Sequence, residues 1–140
     1  MIRYVLDTDI LSLHERLDST VAGHLARRQP LEVAISVISI DEQISSWFTR
    51  VRKAKTPQEL SDAYGRLGKC VLSLSHLPIL NFTVGAIARF EQLKRMKLGV
   101  SGNDLRIAAI ALEFGCTVVT RNVRDLQLVP GLAIKDWSKP

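Results

Sequence analysis

Tyr4-Val5-Leu6-Asp7-Thr8-Asp9-Ile10-Leu11 opens the chain with a short apolar run that stops at an acid. Three apolar residues bounded by polar ones read as a buried strand, and Asp9 is placed to cap a helix beginning at Ile10. A carboxylate directly behind such a strand loses hydration, so it must be paired or put to use. The same grammar recurs downstream. Ala34-Ile35-Ser36-Val37-Ile38 leads to Glu42, and Cys116-Thr117-Val118-Val119-Thr120 leads to Asp125. A fourth acid, Asp104, opens the apolar helix Leu105 to Phe114.

Strands alternate with helices along the whole chain, which predicts an α/β fold: a parallel sheet flanked by helices on both faces. Ligands of such sheets gather outside the carboxyl ends of the strands, where helices start. Asp7, Glu42, Asp104 and Asp125 are therefore expected to meet there. Carboxylates brought together repel one another unless a divalent cation neutralises them. Hard oxygen ligands suit Mg2+ or Mn2+, whereas zinc prefers His and Cys. His14, His24 and His76 show no ligand spacing, and Cys70 and Cys116 stand far apart. Each acid also has a structural alternative. Ser101 to Asp104 has the spacing of a capping box, Asn122 to Asp125 that of a short capped turn, and Glu42 that of a solvated helix face.

Between these blocks the pattern predicts amphipathic helices. Ile40, Ile44, Trp47, Phe48 and Val51 form one apolar stripe, with Glu42 on the opposite side facing solvent or a cleft. Thr56-Pro57-Gln58-Glu59 is a helix start with a Thr cap and Pro at the first helical position. Leu60, Ala63, Tyr64, Leu67 and Val71 make its expected buried face. A further helix over roughly Thr83 to Lys97 places Ile87, Phe90 and Leu93 inward and pairs Glu91 with Arg95. A strand is expected near His76-Leu77-Pro78, and an edge strand over Leu132 to Lys135 after the Pro130-Gly131 turn.

At 140 residues, with no repeat or linker, the chain is expected to form a single domain over 1–140. A net charge of +5 favours an anionic partner. Its most compact basic cluster, Arg50, Arg52, Lys53 and Lys55, sits at a helix end where cations are stabilised anyway. Arg3 and the Asp7-Thr8-Asp9 block rule out a signal peptide at the N-terminus. No run approaches the roughly 20 apolar residues of a membrane span, so a cytoplasmic protein is expected. No Gly-rich phosphate loop with its lysine occurs, and no Ser-His-Asp arrangement stands out.

The blocks together resemble the PIN-domain ribonucleases, in particular the VapC toxins of bacterial toxin–antitoxin pairs. Tyr4 to Leu11 is similar to their opening strand and acid, and Ala34 to Glu42 to their second block. Asn103-Asp104-Leu105-Arg106-Ile107-Ala108-Ala109 resembles the third. Val119-Thr120-Arg121-Asn122-Val123-Arg124-Asp125-Leu126, with Val129-Pro130-Gly131-Leu132 and Trp137, resembles the fourth. The resemblance implies a five-stranded parallel sheet with four acids around Mg2+ or Mn2+. It implies an endoribonuclease cutting structured RNA such as transfer or ribosomal RNA, a homodimer, and inhibition by a cognate VapB-like antitoxin. Asp7 and Asp104 are then the expected direct metal ligands, with Glu42 and Asp125 holding ion or water from a second position. Asp9 departs from the family, which usually has Asn there. Relatives also place the fourth acid at the position of either Asn122 or Asp125, and here only Asp125 is acidic, with Thr120 and Asn122 as polar helpers. Arg106, Arg121 and Arg124 are placed to hold an RNA backbone.

Two other readings compete. Asp7-Thr8-Asp9 has the DxD pattern of a haloacid-dehalogenase-type phosphatase, with Asp7 as nucleophile and Asp9 as general acid, although no downstream lysine-plus-acid block accompanies it. Alternatively, the chain is a catalytically inactive RNA- or peptide-binding module.

Overall fold

The computed structural model describes all 140 residues. Strand β1 (Tyr4–Leu6) is followed by helices α1 (Thr8–Glu15) and α2 (Ser19–Ala26), then strand β2 (Val33–Ser36). Two long helices, α3 (Val37–Lys53) and α4 (Pro57–Leu74), precede the two-residue strand β3 (Ile79–Leu80). Helices α5 (Val84–Arg95) and α6 (Gly102–Phe114), strand β4 (Thr117–Val119), the single turn α7 (Val123–Leu126) and strand β5 (Ile134–Lys135) complete the order. The strands form one parallel sheet in the order β3-β2-β1-β4-β5. Leu6 pairs with Ile35 on one side and with Val119 on the other. β1 is thus the central strand from which the chain winds outward in both directions, and its carboxyl end is the topological switch point.

Successive strand residues point to opposite faces, so the sheet carries a core on each side. Val5, Ala34 and Val118 face α5 and α6, where Phe90, Leu93, Leu105 and Ile107 to Ala111 are buried. Tyr4, Leu6, Ile35 and Val119 face α1, α2 and α4, against Ile10, Leu11, Val21, Cys70 and Leu74. Helix α6 is apolar nearly all round because it lies deep in the first core. It stops at Gly115, whose φ of 68° lets the chain turn directly into β4. No helix is long and apolar enough to cross a membrane.

Several expected faces are differently placed. In α3 the buried residues are Ile38, Ser39 and Gln43, while Ile40, Ile44, Trp47 and Val51 are half-buried and Phe48 is exposed. In α4, Ala63, Cys70 and Leu74 are buried, but Leu60, Tyr64 and Val71 are exposed. The two helices pack on each other at the margin of the sheet, so only one edge of each apolar stripe reaches the core. Ile87 is likewise exposed, and Ala86 takes its place beside Phe90 and Leu93. The Glu91–Arg95 pair does not form. On the same helix Arg89 instead pairs with Glu113 of α6 at 2.6 Å. The start of α4 is as expected: the Thr56 hydroxyl accepts from the Glu59 amide, and Glu59 accepts from the Lys55 amide.

Beyond β5, Trp137 plugs the second core at 1% exposure, packed on Tyr4 at 5.0 Å and stacked on His24 at 5.6 Å. It ties the end of the chain to β1 and α2. Trp137→Ala is expected to destabilise the protein by roughly 3–5 kcal/mol. Urea unfolding measures this, and a loss below about 1 kcal/mol would show that the plug contributes little.

Candidate active site

Asp7 is the residue at which β1 becomes α1. It adopts extended backbone, and its Oδ1 accepts the Thr8 amide at 2.8 Å, making Asp7 rather than Asp9 the cap of the helix. The helix therefore starts two residues earlier than expected, and this frees the Asp9 side chain from capping. Asp7 Oδ2 accepts the hydroxyl of the fully buried Thr120, at 2.8 Å, just past β4. These two bonds join the carboxyl ends of neighbouring strands through a single carboxylate.

From Thr120 the network continues. Its hydroxyl oxygen accepts the Asn122 amide at 2.9 Å. The Asn122 side-chain NH2 donates to Asp104 Oδ2 at 3.1 Å and to Asp125 Oδ2 at 3.2 Å. In the other direction, the Thr8 hydroxyl donates to Glu42 Oε1 at 3.0 Å and lies 3.0 Å from the Ser39 hydroxyl. One unbroken run of hydrogen bonds thus links Glu42, Asp7, Asp104 and Asp125, from four separate parts of the chain. Asp9 joins from the side, its Oδ2 accepting the Arg121 amide at 3.0 Å. Its Oδ1 is buried and has no partner.

The local reasons are legible in the elements. Ser101 caps α6 by accepting the Asp104 amide, and this places Asp104 in the first turn, where the helix dipole favours an anion. Ser36 caps α3 in the same way, and Glu42 follows on the face turned toward α1. The capping and site roles of Asp104 coexist because the cap uses its amide and leaves the carboxylate free. Asn122 does not cap α7 through its side chain, which bridges two acids instead. Thr8 is the functional residue that sequence reasoning passed over. Its position between the two acids of the opening block was the available signal. Arg106 turns away from the acids, donating to Asn103 and lying over the Phe90 ring at 4.7 Å.

Crowded acids in a half-dry site resist ionisation. Burial, then the charges of Asp9 and Asp104, push the Asp7 carboxyl up to about 7, against the lowering effect of Thr120 and the Thr8 amide. Burial also raises Glu42, with Asp104 and Asp41 adding to it and the Thr8 hydroxyl opposing. Asp9 is raised for the same first reason, against its bond to the Arg121 amide. The site therefore holds more negative charge than its own donors balance. The side chains do not by themselves close into a cage of three ligands.

No family model matches the chain. Ribonuclease VapC2 of Rickettsia felis is 25% identical over 142 residues, which cover 97% of this chain and 98% of that protein. A chain of the DNA-bound VapBC complex from Salmonella typhimurium superposes with a TM-score of 0.73 at 25% identity, covering 98% of this chain and 99% of that one. VapBC2 of Rickettsia felis, bound to a DNA fragment from its promoter, gives 0.71 at 25% with the same coverage. VapBC-1 of Haemophilus influenzae gives 0.75 at 23%, covering 99% of this chain and all of that one, and supports the fold. Over nearly its whole length the chain is similar to a VapC ribonuclease and shares its fold with chains of VapBC complexes.

In this protein the protonation of Asp7 couples to stability. The folded carboxyl titrates near 7, against 3.8 in an ordinary aspartate, so the folded state holds the proton more tightly between those values. In chelator, this group lets the protein be most stable below about pH 4, weakens it as pH rises toward 7, and changes little beyond. Asp7→Asn is expected to flatten that decline and to stabilise the metal-free protein at pH 8 by on the order of 2 kcal/mol, after the loss of one accepted hydrogen bond. Urea unfolding at pH 5 and pH 8 tests this. An equal effect of the substitution at both values would contradict it.

Proposed function

We propose that the protein is a Mg2+- or Mn2+-dependent endoribonuclease that hydrolyses RNA phosphodiester bonds as the toxin of a VapBC-type pair. The observation that carries this is the hydrogen-bonded run joining Glu42, Asp7, Asp104 and Asp125 at the carboxyl ends of β1 and β4. The donor set fits a hard divalent cation: every candidate is a carboxylate, and burial with neighbouring negative charge raises both Asp7 and Glu42. Mg2+ commonly takes one or two carboxylates and keeps several waters, so a three-ligand cage is not needed.

Asp7 and Asp104 would hold the ion, with Glu42 and Asp125 holding ion or water from a second position. A bound ion supplies the charge that activates water and balances the phosphoryl oxygens. The chain does the rest by orientation. The Thr8 amide and Thr120 hydroxyl fix both oxygens of Asp7 and leave lone pairs on each. Asn122 holds Asp104 and Asp125 apart at fixed positions while adding no charge. Glu42, held by the Thr8 hydroxyl and made more basic by burial, is the carboxylate placed to accept a proton from an attacking water. Water attacking phosphorus in line with the 3′-oxygen breaks the bond to that oxygen, which leaves with a proton from solvent, giving a 5′-phosphate and a 3′-hydroxyl.

A VapB-like antitoxin is the proposed protein partner, since the solved relatives are VapBC complexes. A homodimer is part of the same proposal. The exposed apolar residues of α3 and α4, Phe48, Leu60, Tyr64 and Val71, offer area for such contacts.

Purified protein incubated with total RNA is expected to cleave only with Mg2+ or Mn2+ present, and end mapping should find 5′-phosphates. Asp104→Asn should lower the rate at least about a hundredfold. Chelator-resistant cleavage, an unaffected variant or 2′,3′-cyclic phosphate ends would each refute the proposal. Asp9→Asn separates this reading from the phosphatase. The nuclease should keep most of its activity, because Asp9 neither caps the helix nor belongs to the run of four acids. A phosphatase using Asp9 as general acid should lose it. Protons also compete with the cation for Asp7, so at limiting metal the rate should climb between pH 6 and 8.

A further inference from the structure

A cleft of about 750 Å3 opens between α1, α3 and α4. One end is walled by Thr8 and Glu42, whose hydrogen bond belongs to the acid network. Its remaining walls carry Arg16 at the end of α1, Arg50 on α3, and Arg66 and Lys69 on α4. Against these stand two acids, Glu42 at the mouth and Glu15 beside Arg16. None of the four cations is spent in an ion pair, since the two salt bridges of the molecule are Arg3–Glu32 and Arg89–Glu113. Arg50 and Arg66 are instead held over the Trp47 ring, at 4.6 and 5.9 Å from its centre. Cation–π contact fixes a guanidinium while leaving its N–H donors free for another partner. A second hollow shares Trp47, Arg50 and Arg66 and adds Lys53 on α3, with the acids Glu59 and Asp62 of α4 on its other side. From Glu42 to Lys53 that helix runs about 16 Å.

Free cations spaced along a trough that begins at the acids match a phosphodiester backbone. A docked peptide helix or strand would need apolar anchor pockets, and only Trp47 and Cys70 among the cleft residues are hydrophobic. A cleft of about 750 Å3 has room for a short run of one strand. We infer that this cleft binds the single-stranded RNA segment flanking the scissile phosphate, with Arg16, Arg50, Arg66 and Lys69 on successive phosphates and Trp47 positioning two of them. The inference rests on the ribonuclease reading for its substrate, and its test is independent of cleavage.

A labelled single-stranded RNA oligonucleotide is titrated with protein in chelator over a series of salt concentrations. Arg50→Gln/Arg66→Gln/Lys69→Gln is compared with Lys94→Gln/Arg95→Gln/Lys97→Gln, which removes the same charge at the exposed end of α5. The cleft variant should weaken binding at least about tenfold at 0.1 M salt and make the log K against log[salt] slope shallower by about 2, or about 0.7 for each single variant. The α5 variant should leave the slope as it is. Single variants with unchanged thermal midpoints keep the test readable if the triple variant folds poorly. Equal effects of both triple variants, or no effect of either, would overturn the inference. So would a cleft variant that grips RNA normally yet no longer retains a VapB-like partner. Cleft-dependent binding without any cleavage would uphold the cleft and refute the nuclease. Cleavage that depends on Asp104 while binding ignores the cleft would do the reverse.

Discussion

A carboxylate buried at the meeting point of two strands is the constraint around which this molecule is arranged. Asp7 is 5% exposed, so its hydration has to be replaced from inside the fold. The replacements are one amide from its own helix and one hydroxyl from the far end of β4. Neither suffices to hold the charge, and the neighbouring acids worsen the deficit. Leaving one group in this condition costs stability, which natural folds tolerate chiefly where the group has chemistry to perform. The central position of β1, paired on both sides in register, supplies the rigidity that keeps the arrangement from relaxing.

Around that point the charges are sorted. Acids occupy the crevice between β1 and β4, and uncompensated arginines and lysine occupy the adjoining cleft between helices. Such a division suits a polyanion, which the basic wall attracts while the acids admit it only together with positive ions. Attraction and exclusion then act on different segments of one ligand.

The parts of this design visible in the sequence are those set by local rules. β1 and β2 follow from short apolar runs, and α4 from its Thr56-Pro57 start. The parallel, helix-flanked sheet follows from alternation, whereas its strand order β3-β2-β1-β4-β5 does not. Glu42, opposite the apolar stripe of α3, is expected to face solvent or a cleft rather than the core, and it lines a cleft. The stripes themselves were misread. An amphipathic pattern says which face of a helix is apolar, not what covers it, so Phe48, Leu60 and Tyr64 were assigned to a core that does not reach them. Asp7 and Asp9 are equally good caps on paper, and only the start of α1 separates them. Asn122 bridging two acids depends on α6 and α7 lying side by side, which no local pattern encodes. The basic cleft was hidden for the same reason. Arg50 looked like an ordinary helix-end cation, and Arg16, Arg66 and Lys69 are scattered along the chain.

The bond between Asp7 and Thr120 spans 113 residues of sequence. A polypeptide emerging from the ribosome therefore displays its first acid long before the strand that completes the pocket has been made. The half-built chain has no working crevice, and competence arrives only when β4 slides in beside β1. For an enzyme that would attack RNA, that delay is a safeguard written into the connectivity: the machinery producing it meets no finished blade until β4 has been made.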